Sequence, residues 1–194
     1  MPDQSEHKPT IFICADHGLA VIYFLQSDVL PTLLEAGVKV VVLTDDALVE
    51  GIRQRFQRPG MAVEGLRLKQ AAQYAATVNP EMQWWLGFLR RVGSAGRINT
   101  EAQDAYVAQV AVEEGWKRRL WMPLARLYIQ GLRRSRRLRQ ALVNFQKRYT
   151  PLLYTDLFER YQPDLVVAST HGWRMDRYLL RQAAARGIRT VAAI

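Results

Sequence analysis

Residues 10–46 read TIFICADHGLAVIYFLQSDVLPTLLEAGVKVVVLTDD, and this stretch decides the fold. Thr10–Cys14 is a short unbroken apolar run, Ala15-Asp16-His17-Gly18 is a turn, and the apolar AVIYFLQ that follows reads as helix. Asp28 is placed to cap a further helical segment, in which Pro31 at the third position costs no hydrogen bond. That segment stops at Gly37, the residue type favoured just past a helix end. Val38–Leu43, VKVVVL, is β-branched with little alternation, the pattern of a strand buried on both faces. Strand, helix and strand at this spacing predict a right-handed βαβ unit.

Working outward, Thr44 or Asp45 is expected to cap a helix running to about Phe56, Arg58-Pro59-Gly60 turns the chain, and Ala62–Leu68 is expected to be a third strand. From about Pro80 to Tyr161 the alternation lapses into helix: WWLGFLRR, a segment near Thr100–Glu114, and a basic stretch. The plan resumes at Pro163-Asp164 with the buried-strand run LVVAS, the turn THGW, the helix RMDRYLLRQAAAR, a stop at Gly187 and the strand IRTVAAI. This grammar predicts an α/β chain, a Rossmann-like open parallel sheet with helices on both faces. Residues 10–194 are expected to form one such domain behind a flexible tail, residues 1–9, with a basic helical insertion over about 80–161. A length of 194 residues suits a single domain.

Composition agrees with a folded chain: 49% of residues are hydrophobic and 23% charged, close to globular averages. The single cysteine, Cys14, excludes an internal disulfide and a Cys-rich metal site, and MPDQSEHKPT lacks the apolar core of a signal peptide, so the cytoplasm is the expected compartment. The formal charge is +9, and its location matters more than its size. No acid occurs from Gly115 to Thr155, where eleven of the 27 basic residues stand, so the other 16 face 18 acids and the rest of the chain balances at −2. Leu120, Leu124 and Leu127, and later Leu138, Leu142, Phe145 and Tyr149, recur at helical spacing, with Pro123 expected to start or kink a helix.

The plain expectation is that such helices pack their stripe on the domain and solvate their charges. The sharper one is a helix lying on anionic lipid at the inner membrane face, with Trp116, Trp121 and Tyr128 at headgroup depth and Arg133, Arg134, Arg136 and Arg137 on phosphates. Nucleic acid ranks below both as a partner, because no zinc-finger, RRM or KH signature accompanies the arginines. No run of about 18 apolar residues is present to span a bilayer.

Ligands of open parallel sheets bind at the carboxyl ends of the strands. Two loops there carry histidine: Asp16-His17-Gly18 after the first strand, and Ser169-Thr170-His171-Gly172 after the late one. His17 is the candidate general base toward an acceptor hydroxyl, with Asp16 or another carboxylate fixing its tautomer. Gly18, Ser169, Thr170, His171 and Gly172 are candidate substrate contacts, the two glycines at helix starts where N–H groups could hold an anion. The alternative for both loops is a helix-entry turn with no chemistry. GxGxxG, GxxxxGK[ST] and GxSxG are all missing, and the three histidines lack metal-ligand spacing, so no metal or nucleotide fingerprint is expected.

Residues 10–46 together with RYQPDLVVASTHGWRMDRYLLRQAAARGIRTVAAI, residues 160–194, resemble the N-terminal half of bacterial B-type glycosyltransferase-like proteins. The group is the surface-polysaccharide and teichoic-acid-type transferases of the UDP-glycosyltransferase and glycogen phosphorylase superfamily. The resemblance implies two Rossmann-like domains facing a cleft, an acceptor-side N-terminal one and a C-terminal one that binds most of a nucleotide-sugar donor, with no metal. It places His17 where some members carry a base after the first strand. The implied partner is that donor-binding domain, or a separate catalytic subunit, and the chain alone would be inactive. Two other readings stay open: a non-catalytic module that docks a membrane or partner, and a nucleotide-sugar epimerase-like half.

Overall fold

A computed structural model describes residues 8–94, 100–113, 115–169 and 176–193. The described residues form two compact units, one made of the chain up to Ala75 and from Thr150 onward, the other of Ala76–Tyr149. The expected single domain with an insertion thus resolves into an α/β unit and a helical unit.

In the α/β unit, β1 (Thr10–Ala15) leads through α1 (Gly18–Leu25) and α2 (Val29–Glu35) to β2 (Lys39–Thr44), then α3 (Val49–Phe56) to β3 (Met61–Gly65) and α4 (Leu68–Thr77). The helical unit holds α5 (Pro80–Val92), α6 (Thr100–Glu113), α7 (Trp116–Arg134) and α8 (Arg136–Lys147). The chain re-enters the α/β unit with α9 (Thr155–Tyr161), β4 (Leu165–Ala168), α10 (Arg177–Ala185) and β5 (Arg189–Ala192).

All strand pairs are parallel and the order is β3-β2-β1-β4-β5. Thr10 to Ala15 pair with Lys39 to Thr44 on one side of β1, and Ile11, Phe12 and Ile13 pair with Leu165, Val166 and Val167 on the other. Succession away from β1 therefore reverses between β1 and β4, the place in such sheets where a crevice at the strand ends takes ligands.

Alternate side chains of β1 feed two cores. Ile13 and Ala15 pack with Ala20 and Phe24 of α1, Leu30 of α2 and Ile52 of α3. Phe12 and Cys14 pack with Ala71 of α4, Leu157 and Phe158 of α9, and Leu179 and Ala183 of α10. Both faces are covered, which is why VKVVVL shows no polar alternation: Val40 to Leu43 are all buried. Gly37 and Gly187 take φ of +78° and +74° just past α2 and α10, the left-handed turn an L side chain resists.

Several expected boundaries move. The third strand is Met61–Gly65 rather than 62–68, because Arg67 adopts φ +54° and ends the extended run. The helix expected from Thr44 or Asp45 begins at Val49; Asp45 instead accepts from Ala47 N at 3.0 Å and shapes a turn. The expected insertion over 80–161 is the narrower Ala76–Tyr149, since α9 packs against Phe12 of the sheet. α7 runs through Pro123 without ending there.

The helical unit is built on Phe88 and Val92 of α5, Val107 and Val110 of α6, and Met122, Ala125 and Ile129 of α7, with Leu86, Leu132 and Leu142 beside them. α7 thus buries a face other than the expected Leu120, Leu124 and Leu127 stripe, which is exposed.

Candidate functional site

Residues directly beyond β1 and β4 meet at the crevice. Asp16 follows Ala15 at the end of β1, and Ser169 follows Ala168 at the end of β4. Because these strands are parallel neighbours, both side chains emerge at the same sheet end, and Ser169 Oγ donates to Asp16 Oδ1 at 2.6 Å. The Asp16 side chain is only 5% exposed. A carboxylate so enclosed, with a hydroxyl donated to it, is held in one orientation.

His17 occupies the N-cap of α1 with extended backbone (φ −153°, ψ 165°), and its Nδ1 accepts from Ala20 N at 3.1 Å. The bond satisfies a backbone donor that the first turn of the helix leaves open. It also assigns the ring: a nitrogen that accepts carries no proton, so in the neutral imidazole the proton sits on Nε2. Asp16 Oδ1 lies 3.7 Å from Nδ1, beyond hydrogen-bond distance, so the expected Asp16 clamp on the tautomer of His17 does not form. In this arrangement His17 presents a donor at Nε2, not the lone pair that a general base needs.

Gly18 is the first residue of α1, and a Cβ placed there meets nothing within 4 Å, so no contact among the described residues demands glycine. Thr170, His171 and Gly172 lie outside the described residues.

Three features at this end of the sheet went unread in the sequence. Thr44 Oγ1 donates to Ala15 O at 2.9 Å and ties β2 to β1 beside Asp16. Asp46 accepts from Arg67 N at 3.0 Å and Leu68 N at 2.7 Å, capping α4 from the β2–α3 loop. Asp176, fully buried before α10, is a second enclosed carboxyl group in this region: burial first, then Asp176 and Asp16, push the Cys14 thiol well up. Such long-range partners leave no periodic trace in a sequence.

No protein-family model, curated protein or solved structure matches this chain. The candidate site therefore stands on geometry.

In the helical unit three of the eleven clustered cations are committed internally. Arg118 pairs with Glu81 (2.8 and 2.9 Å) and lies 4.0 Å over the Trp84 ring. Arg133, expected at a membrane, instead bonds Asp104 at 2.7 Å and Val92 O at 2.9 Å. Arg139 donates to Leu132 O and Arg133 O at the end of α7. The other eight, Arg134, Arg136 and Arg137 among them, are exposed, as are Trp116 and Trp121. No described helix is long and apolar enough to cross a membrane.

Proposed function

We propose that this α/β unit is the acceptor-side domain of a glycosyltransferase-like enzyme that uses a nucleotide-activated sugar in surface carbohydrate synthesis. The Asp16–Ser169 hydrogen bond across the β1/β4 reversal carries the reading, because it puts an oriented carboxylate where open parallel sheets take ligands. In the reaction an acceptor hydroxyl attacks the anomeric carbon of the donor. Its oxygen bonds that carbon, the bond from carbon to diphosphate breaks, and the hydroxyl proton leaves to a base.

Asp16 fits the base better than His17. A carboxylate offers acceptor lone pairs and no donor, and Ser169 fixes this one, whereas His17 Nδ1 is occupied by the helix cap. His17 then donates from Nε2 to a second acceptor hydroxyl, and Ser169 is a positioning residue. Most donor contacts belong to a separate domain or subunit that faces this crevice.

The test is an amide NMR titration with a panel of methyl pyranosides and, separately, nucleotide sugars. The pyranoside is expected to shift the amides of Asp16–Ala20 and Ser169, and the shifts to vanish in Asp16→Asn. His17→Asn keeps a capping side chain yet removes Nε2–H, so the fold should persist while binding weakens about tenfold, the cost of roughly one hydrogen bond. A panel that perturbs none of these amides would point instead to a non-catalytic docking module.

A further inference from the structure

We infer that the second apolar face of α7 is a docking surface for anionic phospholipid bilayers. The inference concerns the helical unit and is independent of what the crevice holds.

At about 100° per residue, α7 divides its surface into two apolar sectors. Met122, Ala125, Ile129 and Leu132 form the inward one and are buried. Trp116, Leu120, Leu124 and Leu127 line the other, with Trp121 and Tyr128 along its edge. Except for Tyr128, at 40%, each is 58–73% exposed. A helix in water needs one apolar stripe to join a core. This one carries two, and the second is the larger in side-chain size.

The charges around that face select the occupant. Lys117 stands within it, long enough to lift its ammonium to the edge, and Arg119 and Arg126 flank it, all three exposed. No acid occurs between Gly115 and Thr155, and Glu81, the carboxylate that Lys117 acts on, is already paired with Arg118. An apolar centre, indole rings at the border and a cationic rim match the layers of a bilayer surface: acyl chains, interface and anionic phosphate. A soluble protein partner would meet eight exposed cations in the same segment and have to supply an acidic rim around an apolar ridge. The bilayer supplies both at any point on its surface.

The geometry also separates this reading from a simple basic patch. A charge-only contact would use Arg136 and Arg137 as readily as Arg119 and Arg126, and would be indifferent to the leucines. Insertion of the α7 face requires the leucines and places Trp116 and Trp121 below the phosphates.

The experiment is flotation of the full chain with vesicles of phosphatidylserine and phosphatidylcholine, and with phosphatidylcholine alone, at physiological salt. Binding is expected to the mixed vesicles and to be much weaker without phosphatidylserine. Lys117→Gln/Arg119→Gln/Arg126→Gln should lower partitioning on the order of a hundredfold, about fivefold per charge. Leu120→Gln/Leu124→Gln/Leu127→Gln, all at exposed positions, should lower it at least tenfold while circular dichroism stays unchanged. Brominated lipid should quench tryptophan fluorescence, and Trp116→Phe/Trp121→Phe should abolish most of that quenching.

Three outcomes overturn the inference. One is no binding to phosphatidylserine vesicles. Another is binding that survives the leucine changes without quenching, which makes the contact purely electrostatic and extends it to RNA. The third is self-association in sedimentation that the leucine variant abolishes, with no vesicle binding, which makes the face an interface between two copies.

Discussion

Replacing Gly65 by alanine tests whether the loops at the carboxyl end of the sheet are packed as described. A Cβ built on Gly65 falls 2.1 Å from Asp46 Oδ1 and 3.2 Å from its Cγ. Ordinary contact needs more than an ångström beyond the first distance, so the carboxylate must swing away. Gly65 is not among the positive-φ glycines, so alanine meets no backbone strain of its own. The displaced carboxylate forfeits its bonds from Arg67 N and Leu68 N, which cap α4. It also releases Arg67, whose left-handed φ of +54° is held by Asp46 and by the Asp156 pair.

Asp46→Ala loses both cap bonds and should cost about 2 kcal/mol, the upper end for a helix cap. Gly65→Ala should cost about 1.5 kcal/mol, the same loss less a small gain from a stiffer unfolded chain. In the Asp46→Ala background, Gly65→Ala should be neutral or stabilise by up to about 0.5 kcal/mol, a coupling near 2 kcal/mol. Urea denaturation of the four proteins measures this. Additive losses, totalling about 3.5 kcal/mol in the double variant, would refute the packing of Asp46 against Gly65.

Other consequences follow from single contacts. Gln182, 1% exposed, accepts from Tyr154 N at 3.0 Å and donates to Thr155 Oγ1 at 2.9 Å, so Gln182→Ala should strand a buried N–H and cost about 2–3 kcal/mol by urea melts. Cys14 is fully buried with its thiol pushed well up, and a thiol reagent should label it only at the rate of unfolding. The hydrogen bonds from Arg67 hold the Asp156 carboxyl below its usual range. That pair stabilises the fold above the unfolded carboxyl pKa of about 3.9, and the gain is lost as pH falls through the lower folded value. Exposure limits it to about 1 kcal/mol or less, which Asp156→Asn should remove at neutral pH but not in strong acid.

The sheet was legible because its signals are local. TIFIC, VKVVVL and LVVA each bury on both faces, and Gly37 and Gly187 mark helix ends with a backbone conformation other residues avoid. The resumed grammar after the helical stretch predicted further parallel strands, but not that β4 lies beside β1 and reverses the order. The capping of α4 was not legible, because Asp46 reaches Arg67 across the whole of α3 and β3. Nor was the role of α7: periodicity identified Leu120, Leu124 and Leu127 as one stripe but could not tell which of two apolar stripes meets the core. Once Met122 and Ile129 fill the inner face, the leucines must point outward. At the crevice the sequence brought Asp16, His17 and Ser169 to one sheet end, but their pairing depended on rotamers. Asp16 is paired with Ser169, and His17 caps its own helix.

The most direct test of the proposed function is the amide spectrum of this chain titrated with methyl pyranosides. The account predicts saturable shifts centred on Asp16, His17 and Ser169, lost in Asp16→Asn and undiminished in Lys117→Gln/Arg119→Gln/Arg126→Gln. Shifts absent from these three residues, or persisting in Asp16→Asn, would contradict it.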